Sequence, residues 1–198
     1  MDPVEFYSVT RALRAISRAD LVLLVLDVAR EPSRQDARLA ALAEAQGKGI
    51  VVVFNKWDLV DDPVGVKALI EEEFVRQYPF LDFVPRLYLS AVSGKGVSKV
   101  LPACTEVFQE YTRSIPTSEL NRAVQEILGR VTPPDTPSGR HLKLYYAAQT
   151  GSRPPTFSLF VNNPRYRQQN YVSYLERELR RRFGFQGTPI VLEWKASY

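Results

Sequence analysis

One stretch limits this chain more than any other: Ile50-Val51-Val52-Val53-Phe54, followed at once by Asn55-Lys56-Trp57-Asp58. Five apolar residues in a row, mostly β-branched, read as a strand buried on both faces, the habit of strands in parallel sheets covered by helices. In open parallel sheets, ligands bind beyond the carboxyl ends of the strands. The polar N-K-W-D falls in that place. Its chemistry suits a guanine. The Asp58 carboxylate can accept from both the ring N–H and the exocyclic amino group, a pair of donors that adenine lacks. Asn55 can bridge to the base or brace a neighbouring loop. The methylene stem of Lys56 can lie flat over a purine. The competing reading is a polar turn after a strand.

A second segment favours the first reading. Leu87-Tyr88-Leu89 is a short apolar strand that runs into Ser90-Ala91-Val92-Ser93-Gly94-Lys95-Gly96-Val97. A Ser-Ala-Val turn at a strand end can offer backbone N–H groups to a purine carbonyl. A strand ending in N-K-x-D, a helix, and a strand ending in S-A-x-x-G-x-G resembles the base-recognition half of a Ras-like GTPase. The candidate guanine-binding residues are therefore Asn55, Lys56, Trp57, Asp58, Ser90, Ala91 and Val92.

The surrounding pattern predicts an α/β fold. Residues 4–18 read as a helix, and Leu21 to Val28 as another continuous apolar strand ending at Asp27-Val28. Ser33 can cap a helix, with Asp36 three residues on. Helices are expected over 67–77 and 99–112, with a strand at 86–89. A literal Asp-x-x-Gly at Asp62 to Gly65 reads as loop. Strands alternating with helices mean a parallel sheet. Pro116 marks a boundary, giving domains 1–115 and 116–198. The second domain changes rhythm. A helix at Leu120 to Leu128 precedes a strand expected to begin at His141, with Leu142, Leu144, Tyr146 and Ala148 alternating. Another strand alternates at Phe157, Leu159 and Val161. A basic helix with Tyr171, Leu175, Leu179 and Phe183 on one face leads to a last strand with Ile190, Leu192 and Trp194. The order is αββαβ, a small α+β domain.

In this order the chain resembles the C-terminal part of the Der (EngA) family of bacterial double GTPases. The likeness rests on Tyr7-Ser8-Val9 with Arg11-Ala12-Leu13, on Asn55-Lys56-Trp57-Asp58, and on Pro154-Pro155-Thr156-Phe157, Phe160-Val161-Asn162 and Gly187-Thr188-Pro189-Ile190. The resemblance implies the latter half of a Ras-like GTPase domain followed by a KH-like domain. It implies GTP or GDP as ligand, with Mg²⁺ in the complete family domain, and a role in assembling the large ribosomal subunit on ribosomal RNA. One departure matters. The chain holds no G-x-x-x-x-G-K-[ST], since Gly47-Lys48 and Gly94-Lys95 are each followed by another glycine. The phosphate cradle and the Mg²⁺ ligand are therefore not among these residues, and this chain alone is expected not to hydrolyse GTP. Strand 21–28 should then form a sheet edge open to self-association. The alternative is a free-standing RNA-binding or protein-interaction module without nucleotide chemistry.

Charge divides unevenly. Residues 1–115 carry 14 Lys and Arg against 16 Asp and Glu, whereas residues 116–198 carry 12 against 6. The basic surplus belongs to the second domain and points to a polyanion. Arg177, Arg180, Arg181 and Arg182 are candidate RNA contacts, with a solvated helix face as the alternative. Tyr145, Tyr146 and Tyr166 can stack on bases or pack in the core. Gly184-Phe185-Gln186-Gly187 is a literal G-x-x-G, the loop with which KH domains clamp a backbone. Here it lies between a helix and a strand, where a helix-ending glycine is the simpler reading. The single cysteine, Cys104, excludes an internal disulfide and sits on a helical apolar pattern. The single histidine, His141, has no ligand cluster around it in sequence. The opening Met-Asp-Pro-Val-Glu-Phe has no signal-peptide core, and no apolar run reaches membrane-spanning length, so a cytoplasmic protein is expected.

Overall fold

The strand β2 (Gly49–Asn55) forms the centre of a parallel sheet, with β1 (Leu21–Asp27) on one side and β3 (Arg86–Tyr88) on the other. The structure, a computed structural model, describes residues 3–135 and 139–197, and of residues 3–10 the backbone only. It divides into two units, residues 1–110 with 186–189, and residues 111–185 with 190–198.

In the first unit β1 and β2 run in register from Leu21 opposite Gly49 to Asp27 opposite Asn55. Both apolar runs thus end in a polar residue at the same level. Ile50, Val52 and Phe54 face one side, where they meet Leu24 and Leu26, Ala40 and Ala43 of α2 (Arg34–Ala45), Phe74 of α3 (Pro63–Gln77) and Ile16 of α1 (Pro3–Arg18). Val51 faces the other side, against Ala103 and Val107 of α4 (Val100–Thr112). Burial on both faces is why β2 has no polar residue before Asn55. Cover on the α4 side is incomplete, and Leu23 and Val25 of β1 are 42% and 52% exposed. Cys104 is a half-buried part of this layer, and burial raises its thiol pKa. Leu101, on the same helix, is instead exposed.

The helix starts follow from capping chemistry. The Ser33 hydroxyl accepts from the Asp36 N–H (3.1 Å), while Asp36 accepts from the Ser33 N–H (2.8 Å), a complete capping box. The Asp-x-x-Gly at Asp62–Gly65 is not loop as expected: it opens α3. Asp62 is the N-cap and accepts from Val64 and Gly65 N–H, and Pro63 takes the first helical position, where it has no N–H to lose.

The second unit has the expected αββαβ order: α5 (Thr117–Arg130), β4 (Leu144–Ser152), β5 (Pro155–Val161), α6 (Gln169–Phe183) and β6 (Val191–Ala196). β5 is central, antiparallel to β4 and parallel to β6. Phe157 and Leu159 meet Leu120, Val124 and Ile127 of α5, and Leu175, Leu179 and Phe183 of α6. Gly184 closes α6 at φ 91°, and its N–H returns to Arg180 O. Phe185, the second residue of the G-x-x-G, is fully buried in this core. The motif is therefore a helix end and core plug at that point.

One strand departs from expectation. β4 begins at Leu144 rather than His141, because the Asn162 side chain takes the Lys143 N–H (2.9 Å) and donates to His141 O (2.9 Å). A register shift between Leu144 and Tyr146 then reverses the alternation. Ala147 is buried, and Tyr146 is 44% exposed on the outer face, paired with Phe160 rather than with the core. Among the described residues no helix is long and apolar enough to cross a membrane.

Candidate functional site

The two sequence-predicted loops meet at the carboxyl ends of β2 and β3. The Asn55 Oδ1 accepts from the Ala91 N–H at 3.0 Å, joining segments 36 residues apart. A second link runs beside it, from the Trp57 N–H to Leu89 O (3.0 Å). Asn55 therefore braces the neighbouring loop, one of the two roles its chemistry allowed.

The Ser90–Gly96 loop is held internally. Ser90 N–H donates to Lys95 O (2.9 Å), Gly94 N–H to Ser90 O (2.9 Å), and Ser93 N–H to the Ser90 hydroxyl (3.1 Å). Ser90 is buried, a structural anchor rather than an exposed donor. Ala91 and Val92 are exposed at the tip. Gly96 has φ +82°, and a Cβ there would stand 2.7 Å from Tyr88 O, so the turn back from β3 requires glycine.

Lys56 also has a left-handed backbone, at φ 67° and ψ 33°. Its Nζ lies 2.7 Å from Asp27 Oδ2, and the Asp27 Oδ1 accepts from Ala29 N–H (3.0 Å). The hydrogen bond from Lys56, with that from Ala29, holds the Asp27 carboxyl below its usual pKa. Asp27 is a site residue to which sequence reasoning gave no role. The available signal was two apolar runs in one register, ending in Asp27 and Asn55.

Trp57 is turned inward, its ring 4.6 Å from that of Tyr88, which stacks on Phe54 at 5.2 Å. Tyr88 in turn donates from its hydroxyl to Glu71, and Arg86 reaches the same carboxylate at 2.6 Å. Burial, then the bond to Glu71, raises the phenol's pKa. This stack fixes the floor under the short helical turn Trp57–Leu59 that carries Asp58. The Asp58 carboxylate is exposed and makes no hydrogen bond or ion pair with the described residues. The site thus offers one unengaged carboxylate, a lysine stem and the exposed Ala91–Val92 tip, on two loops tied together.

The arginines of α6 stand differently. Arg180 bonds Glu176 (3.2 Å) and Phe185 O (3.0 Å), Arg181 pairs with Glu178 (2.6 Å), and Arg182 lies 3.7 Å from Glu126. Arg130 of α5 also approaches Glu178, at 3.7 Å. Arg177 lies over the Tyr174 ring at 6.0 Å. Arg180, Arg181 and Arg182 thus each lie against a carboxylate, though Glu178 is shared with Arg130.

Residues 114–195 match the family described as the KH-domain-like of EngA bacterial GTPase enzymes, C-terminal, and residues 6–110 match the elongation factor Tu GTP binding domain. Curated relatives called GTPase Der agree along the chain: that of Caldanaerobacter subterraneus subsp. tengcongensis is 41% identical over 98% of this chain. The chain belongs to the Der (EngA) family of bacterial GTPases. The Desulforudis audaxviator Der is 44% identical over 96% of the chain. The chain spans 44% and 43% of the length of these two Der proteins, less than half of each. Among solved structures, Aquifex aeolicus Era bound to GDP.AlF4- is 16% identical over 93% of this chain and 67% of that one, with a TM-score of 0.42, too loose a likeness to bear on function.

Proposed function

We propose that this chain is the base-reading and RNA-facing portion of a Der-like GTP-binding protein that acts in assembly of the large ribosomal subunit, with domains 1–115 and 116–198. Asp58 reads guanine by accepting from its ring N–H and amino group. The Val92 N–H, at the exposed Ala91–Val92 tip, meets the purine carbonyl, and the Lys56 stem covers the ring, its ammonium anchored by Asp27. The Asn55–Ala91 bond carries this reading, because it ties the loop after β2 to the loop after β3 while Asp58 stays unengaged among the described residues.

The phosphates and Mg²⁺ stand apart from this portion. Among the described residues no group of three or more His, Cys, Asp or Glu can hold a metal ion, and the sequence has no phosphate-loop Ser or Thr for it. The residues present fit a base, not a metal-bound triphosphate. The second unit, with its basic surplus, faces ribosomal RNA.

The test is Asp58→Asn. Titration of the full chain with guanosine and with xanthosine, read by amide shifts, is expected to favour guanosine before the substitution and xanthosine after it. A mispaired buried polar group costs about 1–3 kcal/mol, a five- to 150-fold change in affinity. An unchanged ratio would remove Asp58 as the base reader.

A further inference from the structure

The outer face of the second unit's sheet carries an aromatic platform at its basic end. α5 and α6 cover only the inner face, through Ala147, Phe157 and Leu159. On the outer face one row crosses all three strands: Tyr146 is paired with Phe160, and Phe160 with Lys195. The Tyr146 and Phe160 rings are stacked at 4.2 Å, 10° from parallel. The bulge that reverses β4 also leaves Tyr145 exposed beside them, at 51%. Two adjacent tyrosines this open are a poor use of core-forming residues.

The row lies at the end of the sheet where β4 begins and β5 ends. Cations collect there. Lys143 enters β4, and Arg165 and Arg167 follow β5 on the turn at Pro164–Tyr166, which packs on β6. Arg140 donates to the Tyr166 hydroxyl (2.8 Å) and lies over its ring at 5.7 Å. The side chains of Lys143 and Arg165 are exposed and form no ion pair among the described residues. Among the described residues the local carboxylates are two, Asp135 bonded to His141 and Glu193 paired with Lys195 at 2.9 Å. This end keeps a positive surplus, whereas Arg180, Arg181 and Arg182 of α6 each lie against Glu176, Glu178 or Glu126.

We propose that this face binds a single-stranded RNA segment, with bases stacked on Tyr146, Phe160 and Tyr145 and the backbone running toward Lys143 and Arg165. The proposal rests on the reading above that the second unit meets RNA, and it places the contact on the sheet rather than on α6 or the G-x-x-G. Flat rings beside cations suit unpaired bases, whose faces a duplex hides. The platform has no array of directed donors and acceptors, so the preference is for single strands over any one sequence.

The test uses the full chain with a labelled single-stranded RNA decamer and an RNA duplex of equal length. The single strand should bind more tightly. Tyr146→Leu, which keeps apolar cover over Phe160, and the surface change Tyr145→Ser should each weaken it by about five- to 150-fold. Photocrosslinking with 4-thiouridine should attach RNA to β4 or β5. Arg181→Gln with Arg182→Gln should have the smaller effect. Single-strand binding untouched by both tyrosine changes, or crosslinks confined to α6, would overturn the platform and leave RNA binding by the unit standing. Failure of the unsubstituted chain to bind either RNA would defeat both readings. Self-association lost with Tyr146→Leu, without RNA binding, would make the face a protein contact and overturn the proposal.

Discussion

Replacing Gly96 by alanine tests how the Ser90–Gly96 loop is built, and Gly94 supplies the control. Both have positive φ, +77° at Gly94 and +82° at Gly96. A left-handed alanine costs about 1–2 kcal/mol at either position. The surroundings separate them. A Cβ on Gly94 meets nothing within 4 Å, whereas one on Gly96 lies 2.7 Å from Tyr88 O and 3.1 Å from Leu89 Cβ. Tyr88 is the last residue of a strand that pairs with β2 at only three positions, so its carbonyl cannot retreat without opening the ladder. Overpacking of this kind adds about 1–3 kcal/mol. The expected losses are then about 1–2 kcal/mol for Gly94→Ala and about 2–5 kcal/mol for Gly96→Ala. The assay is urea unfolding followed by Trp57 fluorescence in a Trp194→Phe background, so that the signal reports the first unit alone. Trp194 is suited to removal, since its indole nitrogen is buried without a hydrogen-bond partner among the described residues. Equal losses at the two glycines would refute the steric argument, and a larger loss at Gly94 would reverse it.

Other outcomes follow from the same geometry. The chain alone should release no phosphate from GTP above a matched Asp58→Ala control, because phosphoryl transfer depends on a phosphate loop and metal that the sequence does not contain; turnover abolished by Asp58→Ala would contradict this. The Asp27 carboxyl should titrate below its ordinary 3.8, by carboxyl carbon NMR, and Lys56→Met should return it upward. With a depressed folded pKa, Asp27's contribution to stability is present above its unfolded value and is lost as pH falls through the folded one; a midpoint unmoved by Lys56→Met would dismiss the ion pair. β1 pairs with β2 alone among the described residues, so amides of Leu21 to Leu26 on its open edge should exchange faster in the monomer than those of Phe157 to Val161, and Val25→Lys should reduce any self-association. A monomer with Leu21 to Leu26 fully protected would count against an open edge.

Much of the first unit was legible because its signals are local and agree. Continuous apolar runs at 21–26 and 50–54 leave a parallel sheet as the arrangement that buries both faces, and Ser33 with Asp36 announced a helix start. Placing both loops at strand ends put Asn55 near the second loop, but the choice between base and loop is decided only by the Ala91 N–H that it accepts. Trp57 was less readable: whether an aromatic in a binding motif meets ligand or protein depends on Tyr88, a partner 31 positions away whose presence no spacing rule signals. Asp62 to Gly65 fits a loop by its Asp-x-x-Gly match and a helix start by its Asp-Pro, and only the capping bonds to Val64 and Gly65 N–H decide for the helix. The α6 arginines show the limit most clearly. Glu176 and Glu178 were visible as neighbours, but Glu126 comes from another helix, and a one-dimensional charge count cannot register that neutralisation.

The bulge at Tyr145 makes β4 unusually tolerant of losing one residue. Side chains before and after it obey opposite parities, so the strand is two half-patterns joined by one supernumerary residue. Excising Tyr145 would restore a plain pleat. Leu144, Tyr146 and Ala147 would then fall in one unbroken alternation, with Leu144 and Ala147 both on the helix face and Tyr146 still outside. Deletion of Tyr145 should therefore be tolerated about as well as its substitution, because the core places no demand on its side chain and neither change moves Leu144 or Ala147 off the helix face.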